Sequence, residues 1–264
     1  MALFNTVFTN KSSVYDMIFF SVKSVLEYPE LEDLEKKNPN MFKRWLRLAN
    51  TKYNAKYHGD TKAQTVYANH APIYPEFSKI LAITYGSVYS EEGTMKRSIK
   101  KISGEDEYVT VMSFIELLNN LSSEAVQSSP QYFPMLAGYN TMNFDVPLLI
   151  KRYLFHTKEK SAEERQLPLI LKNCLDSKPW ESTIVDGFNF WKFNGYNSND
   201  YPLMLIADFL SLKKTVDLLP VAELSELYWE VYNDDPQKAL EFVSLQSATQ
   251  TNLIIQLMVS MRQY

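Results

Sequence analysis

Apolar and polar positions alternate between two periods along this chain, and the switches between them mark out its elements. Val14 to Val25, VYDMIFFSVKSV, is dense in β-branched and aromatic residues and predicts a buried strand. Ser21 and Lys23 stand two apart near its far end, which on a strand places them on one face. Glu27 to Thr65 is helical and charged, with one apolar face carried by Met41, Trp45 and Leu48. Phe77 to Tyr89 and Met95 to Ile102 predict two further strands, closed into a hairpin by the EEGT turn. Val109 to Leu121 returns to helical spacing through Val111, Phe114, Ile115 and Leu118.

The most informative stretch is Leu136 to Tyr153, LAGYNTMNFDVPLLIKRY. Its apolar lead-in, Phe133 to Ala137, predicts a short buried strand closing on Gly138. After a polar turn, Val146, Leu148, Leu149, Ile150, Tyr153 and Leu154 recur at helical spacing, with Lys151 and Arg152 on the outer side. Asp145 therefore falls in a helix's first turn, facing the positive end of its dipole and close to the strand ends. Pro147 suits that turn, where a missing N–H costs nothing. Asp145 reads either as a simple helix cap or as a carboxylate placed for chemistry.

Downstream, Thr157 to Gln166 is a charged loop, and Pro168 to Trp180 holds a short helix with a break at Pro179. Thr183 to Phe193 begins as a strand that ends on Asp186. Tyr201 to Leu212, Val221 to Tyr232 and Pro236 to Met261 predict three helices. Strands first, then a helix–strand–helix succession, predict an α/β fold with a mixed sheet covered by helices on both sides. The 264 residues read as one domain with a helical insertion at about 27–65.

A formal net charge of −4 argues against coating nucleic acid by charge alone. It leaves room for a local basic face built from Lys43, Arg44, Arg47, Lys96, Arg97, Lys100, Lys101, Lys151 and Arg152. A single cysteine, Cys174, excludes an internal disulfide framework, and with three scattered histidines it gives no zinc spacing. The chain shows no long apolar run and no signal peptide. The expectation is a protein of the cytoplasm, or of a phage particle assembled there, with no membrane partner.

The order of these pieces resembles the DEDD-type 3′–5′ exonucleases on a ribonuclease H-like fold. It is most similar to the predicted polymerase-B-like exonucleases of Bacteroidota and their phages. The resemblance runs from about Val14 to Met261 and rests on GYNTMNFDVPLLIKR, EFSKILAITYG, Lys178-Pro179-Trp180-Glu181, VDGFNFWKF and the YPLMLIADFL helix. It implies a ribonuclease H-like mixed sheet with exonuclease-type topology. It also implies four carboxylates that hold two magnesium or manganese ions roughly 3.5–4 Å apart.

In the family the first two acids come from a strand as Asp-x-Glu, and the matching positions here hold Ser21 and Lys23. The third is retained as Asp145. The fourth, from a Tyr-x-x-x-Asp on the last helix, aligns with Phe242 for the tyrosine and Gln246 for the aspartate. Asp186 matches an accessory aspartate. One carboxylate cannot neutralise two divalent ions, and an ammonium at position 23 repels them, so no metal cofactor is expected. Lys23 is instead expected to pair with Asp145, with Ser21 and Gln246 hydrogen-bonding nearby.

Three functions follow from the resemblance. The first is a catalytically inactive, exonuclease-like module that still binds single-stranded nucleic acid. Arg44, Arg47, Lys151 and Arg152 would serve its backbone, and Trp191, Phe193 and Tyr139 would stack on bases. The second is a structural or interaction protein of a phage particle or replication assembly, with protein partners. The third is an active nuclease using Asp16, Asp234, Asp235 or Glu241, none of which restores an acid pair on one face of the strand end.

Overall fold

The β-branched and aromatic run after Asp16 becomes the central strand of a five-stranded sheet. This strand, β1 (Met17–Leu26), pairs antiparallel with β2 (Ser78–Glu91), which pairs antiparallel with β3 (Thr94–Ser103). On its other side β1 runs parallel to β4 (Met135–Gly138), and β4 runs parallel to β5 (Ile184–Asp186). The order is β3-β2-β1-β4-β5. This computed structural model describes residues 13–53, 61–128, 135–161, 163–176, 184–192 and 202–262. Phe193 and the Lys178-Pro179-Trp180-Glu181 segment lie outside those residues.

Ten helices are described: α1 (Leu31–Lys37), α2 (Pro39–Tyr53), α3 (Thr61–His70), α4 (Glu107–Ser128), α5 (Asp145–His156), α6 (Leu169–Asp176), α7 (Gly187–Trp191), α8 (Leu203–Phe209), α9 (Val221–Tyr232) and α10 (Pro236–Arg262). None among the described residues is long and apolar enough to cross a membrane.

Phe19 and Phe20 are both fully buried although neighbours on a strand point to opposite faces, so both faces of β1 are covered. Phe20, Val22 and Ile83 pack against Phe114 and Leu118 of α4 and Leu148 and Leu149 of α5. Phe19 packs on the opposite face against Leu253, Ile254, Leu257 and Met258 of α10. The mixed sheet flanked by helices matches the sequence reading.

Two boundaries move for local reasons. The first residues of the predicted opening strand form a 3-10 turn, Val14–Asp16, because Ser13 and Asp16 cap one another, with the Ser13 N–H donating to Asp16 Oδ2 at 2.9 Å. Asp16 is thereby committed to a cap. The β2–β3 loop is only Glu92 and Gly93, both at positive φ (51° and 75°), the geometry of a tight two-residue hairpin turn.

The inserted helices α1 to α3 have a core of their own. Trp45 is fully buried there and meets Tyr67 and Phe77 edge-on at centroid separations of 5.5 and 5.2 Å. The turn that follows, Ala71–Ile73, returns the chain to the sheet.

Candidate functional site

Parallel pairing between β1 and β4 covers Met17 to Phe19 and then stops, since β4 ends at Gly138. Beyond that point β1 offers backbone N–H groups with no strand to receive them, and a buried N–H without a partner is costly. Asp145 fills this gap: its Oδ1 accepts the Val22 N–H at 2.7 Å. The carboxylate is therefore not a cap of its own helix, whose N-cap, Phe144, makes no side-chain bond. It fastens α5 to the central strand.

The turn between β4 and α5 is built to deliver it. Asn140 sits at φ 57°, a left-handed conformation that asparagine tolerates. Thr141 lies so close over Gly138 that a Cβ there would overlap its hydroxyl, so residue 138 must be glycine. The Thr141 hydroxyl donates to Asp145 Oδ2 over a long 3.4 Å. Asp186, at the end of β5, braces the turn by accepting the N–H groups of Asn140 (2.8 Å), Met142 (3.1 Å) and Phe188 (3.0 Å). Its role here is structural.

Between α5, α8, α9 and α10 opens a cavity of about 520 Å³. Its polar lining is Lys23, Ser24, Asn140, Asp145 and Gln250, and most of the remainder is apolar, including Phe144, Phe188 and Leu219. Ile73 brings the inserted region to its edge. Among the described lining residues, Lys23 is the one cation and Asp145 the one carboxylate.

Burial pushes the Asp145 carboxyl up to about 7, opposed by the Val22 N–H and by Lys23 and reinforced by the charge of Asp186. Burial likewise pulls Lys23 down to about 8, and the nearby Asp145 carboxylate partly offsets this. Burial also raises Asp186, against the backbone N–H groups that it accepts.

Several expected placements are corrected. Lys23 and Asp145 share the cavity and feel one another's charge, but they form no ion pair within 4.0 Å. Ser21 faces away from Asp145 and bonds α10, with its Oγ 2.9 Å from the Ser247 carbonyl and 3.0 Å from Thr251 Oγ1. Gln246 holds the loop before α9, accepting the Leu219 N–H at 3.0 Å and donating to the Asp217 carbonyl at 2.9 Å. Phe242 packs in the cluster that joins α9 to α10. The α10 residue in the cavity wall is Gln250, one turn after Gln246. The only signal for it in the sequence is that helical step of four, which leaves the phase of a long helix undetermined.

The basic residues also separate. Arg152 is not on the outer side but 4% exposed. Its Nε donates to Glu107 Oε1 at 2.8 Å, its second guanidinium nitrogen pairs with Glu107 Oε2, and a third nitrogen donates to the Pro75 carbonyl at 3.3 Å. Lys151 is exposed and pairs with Glu76 at 3.0 Å. Arg44 and Arg47 are exposed on α2, and Lys96, Arg97, Lys100 and Lys101 on β3, but none of them lines the cavity. Of the aromatics, Tyr139 lines it, whereas half-buried Trp191 packs edge-on against Phe209 at 6.0 Å.

These donors do not fit a pair of divalent ions. Asp145 Oδ1 already accepts a backbone N–H, Asp186 is saturated by three, and an ammonium stands in the same cavity. Among the described residues no group of three or more His, Cys, Asp or Glu is placed to hold a metal. What the arrangement offers is one cation, one carboxylate, and hydroxyl and amide donors set in apolar walls. No protein-family model matches the chain, and no curated protein matches it.

Proposed function

We propose that this protein is a catalytically inactive relative of 3′–5′ exonucleases, on a ribonuclease H-like sheet, whose cleft beside Asp145 persists as a site for the end of a single nucleic-acid strand. The observation that carries the reading is the composition of the cavity wall. Where the family resemblance calls for a cluster of acids, this cavity presents Lys23 and Gln250 around a lone Asp145. The mixed five-stranded sheet, in the order β3-β2-β1-β4-β5 with helices on both faces, is compatible with that fold. Phe144, Phe188 and Tyr139 supply aromatic surface against which a base can lie.

A second reading, a rigid building block in a phage particle or replication assembly, is favoured by the absence of a basic lane among the described residues of the cavity wall. Arg152 is locked inward, Lys151 is paired, and Lys43, Arg44, Arg47, Lys96, Arg97, Lys100 and Lys101 stand on α2 and β3. Native electrophoresis of end-labelled single-stranded DNA and RNA separates the two. A mobility shift that weakens as salt rises supports strand binding. No shift at low salt removes that reading and leaves the building block.

A further inference from the structure

The cavity holds hydrogen-bonding groups that the protein itself leaves unused. Lys23 makes no hydrogen bond and no ion pair within 4.0 Å among the described residues, although burial makes an isolated ammonium costly there. Ser24, its neighbour in the cavity wall, is 1% exposed, and its Oγ has no hydrogen-bond partner. The register shift opposite Lys23 and Ser24 places an extra residue, Leu81, in β2, while β1 keeps its alternation, with Ser21, Lys23 and Val25 towards the α9–α10 face and Val22 and Ser24 on the other. Gln250 adds an amide from α10. Thr84 Oγ1 and Tyr228 Oη also lack partners, and neither residue lines this cavity.

We infer that Lys23 and Gln250 form a metal-independent subsite for an organic anion, one carboxylate or phosphate head on a flat apolar body. The ammonium supplies in the protein the positive charge that divalent ions supply in a nuclease. The Lys23 ammonium donates to the head group, and the body lies against Phe144, Phe188 and Leu219. Asp145 Oδ1 is held by the Val22 N–H, and the negative charge of Asp145 opposes an anion in the cavity, which sets the head group on the Lys23 side. A volume of about 520 Å³ suits a ligand of one or two rings. The inference rests on the strand-end reading only in part, because this head-and-body chemistry belongs equally to a terminal nucleotide and to a free aryl carboxylate.

Isothermal titration of the full chain with adenosine 5′-monophosphate and, separately, with 1-naphthoate, both in excess EDTA, tests the subsite and distinguishes the two sources. Binding of either probe in EDTA is expected. Lys23→Met is expected to weaken it at least about tenfold, the loss of one hydrogen bond to a charged group, and Lys23→Arg to restore most of it. Asp145→Asn, which keeps the oxygen facing Val22, is expected to tighten it several-fold. Thermal unfolding of each variant confirms the fold. Naphthoate binding with a silent nucleotide supports the subsite and argues against a strand end as its occupant. Absence of binding by both probes overturns the inference, as does binding that Lys23→Met leaves unchanged or that appears only when magnesium replaces EDTA.

Discussion

Two buried charge clusters lie at opposite ends of α5, and they are built on opposite principles. Around Glu107 both carboxylate oxygens are occupied. Its carboxylate takes the Arg152 guanidinium through two nitrogens, His156 Nε2 at 2.9 Å and the Ile80 N–H at 2.6 Å. This cluster ties α4 and α5 to β2. Around Asp145 one carboxylate oxygen is well bonded, but Lys23 and Ser24 are left without partners beside a cavity. A saturated buried cluster is structure. An unsaturated one beside open volume carries a cost in the unliganded fold, and that cost marks it as the place where something binds.

If the contrast is sound, the largest effect comes from opening the saturated cluster. Arg152→Met leaves the buried Glu107 carboxylate without its main partner, and chemical denaturation is expected to show a loss of about 3–5 kcal/mol. A loss below ~1 kcal/mol would mean that Arg152 is replaceable there and free for another role.

The Asp145 cluster should respond with the opposite sign. Its carboxyl is raised from 3.8 to about 7, so the folded state holds a proton that the unfolded chain releases, and stability is lost as pH rises across that interval. Lys23, lowered from 10.5 to about 8, gives up stability as pH falls across its own interval. Both penalties are in force between about 7 and 8. Asp145→Asn is therefore expected to stabilise the protein at pH 7.5 by on the order of 2 kcal/mol, with the gain vanishing towards pH 4. A difference independent of pH contradicts the assignment. The smallest effect is at Ser24: Ser24→Ala removes a hydroxyl with no partner and is expected to be neutral or stabilising by up to ~1 kcal/mol in the same melts. A clear destabilisation would show that this hydroxyl is bonded in the folded protein.

Much of the architecture was legible because period and punctuation agree along this chain. The β-branched run of β1, the two-residue turn before β3, and the Gly138-to-Pro147 passage from strand to helix each specify local structure through short-range sterics. The presence of Asp145 at a strand–helix junction was legible for the same reason. Its partner was not, because the Val22 N–H becomes available only when β4 ends three pairs into its ladder with β1, a tertiary fact with no local signature. Arg152 was misread as outward because a helical repeat marks an apolar face without showing that a glutamate on another helix awaits an arginine at its edge. Gln250 was missed because nothing within α10 identifies which turn passes the cavity.

In the proposed function the positive charge of this cleft is carried by Lys23 and not by metal ions. Incubation of the purified protein with end-labelled single-stranded DNA and RNA, with magnesium or manganese and resolved under denaturing conditions, tests it most directly. Strands that stay full length with either metal are the predicted result. Metal-dependent shortening from the 3′ end that disappears in Asp145→Ala would contradict it, showing that this carboxylate still works with metal ions despite the ammonium beside it.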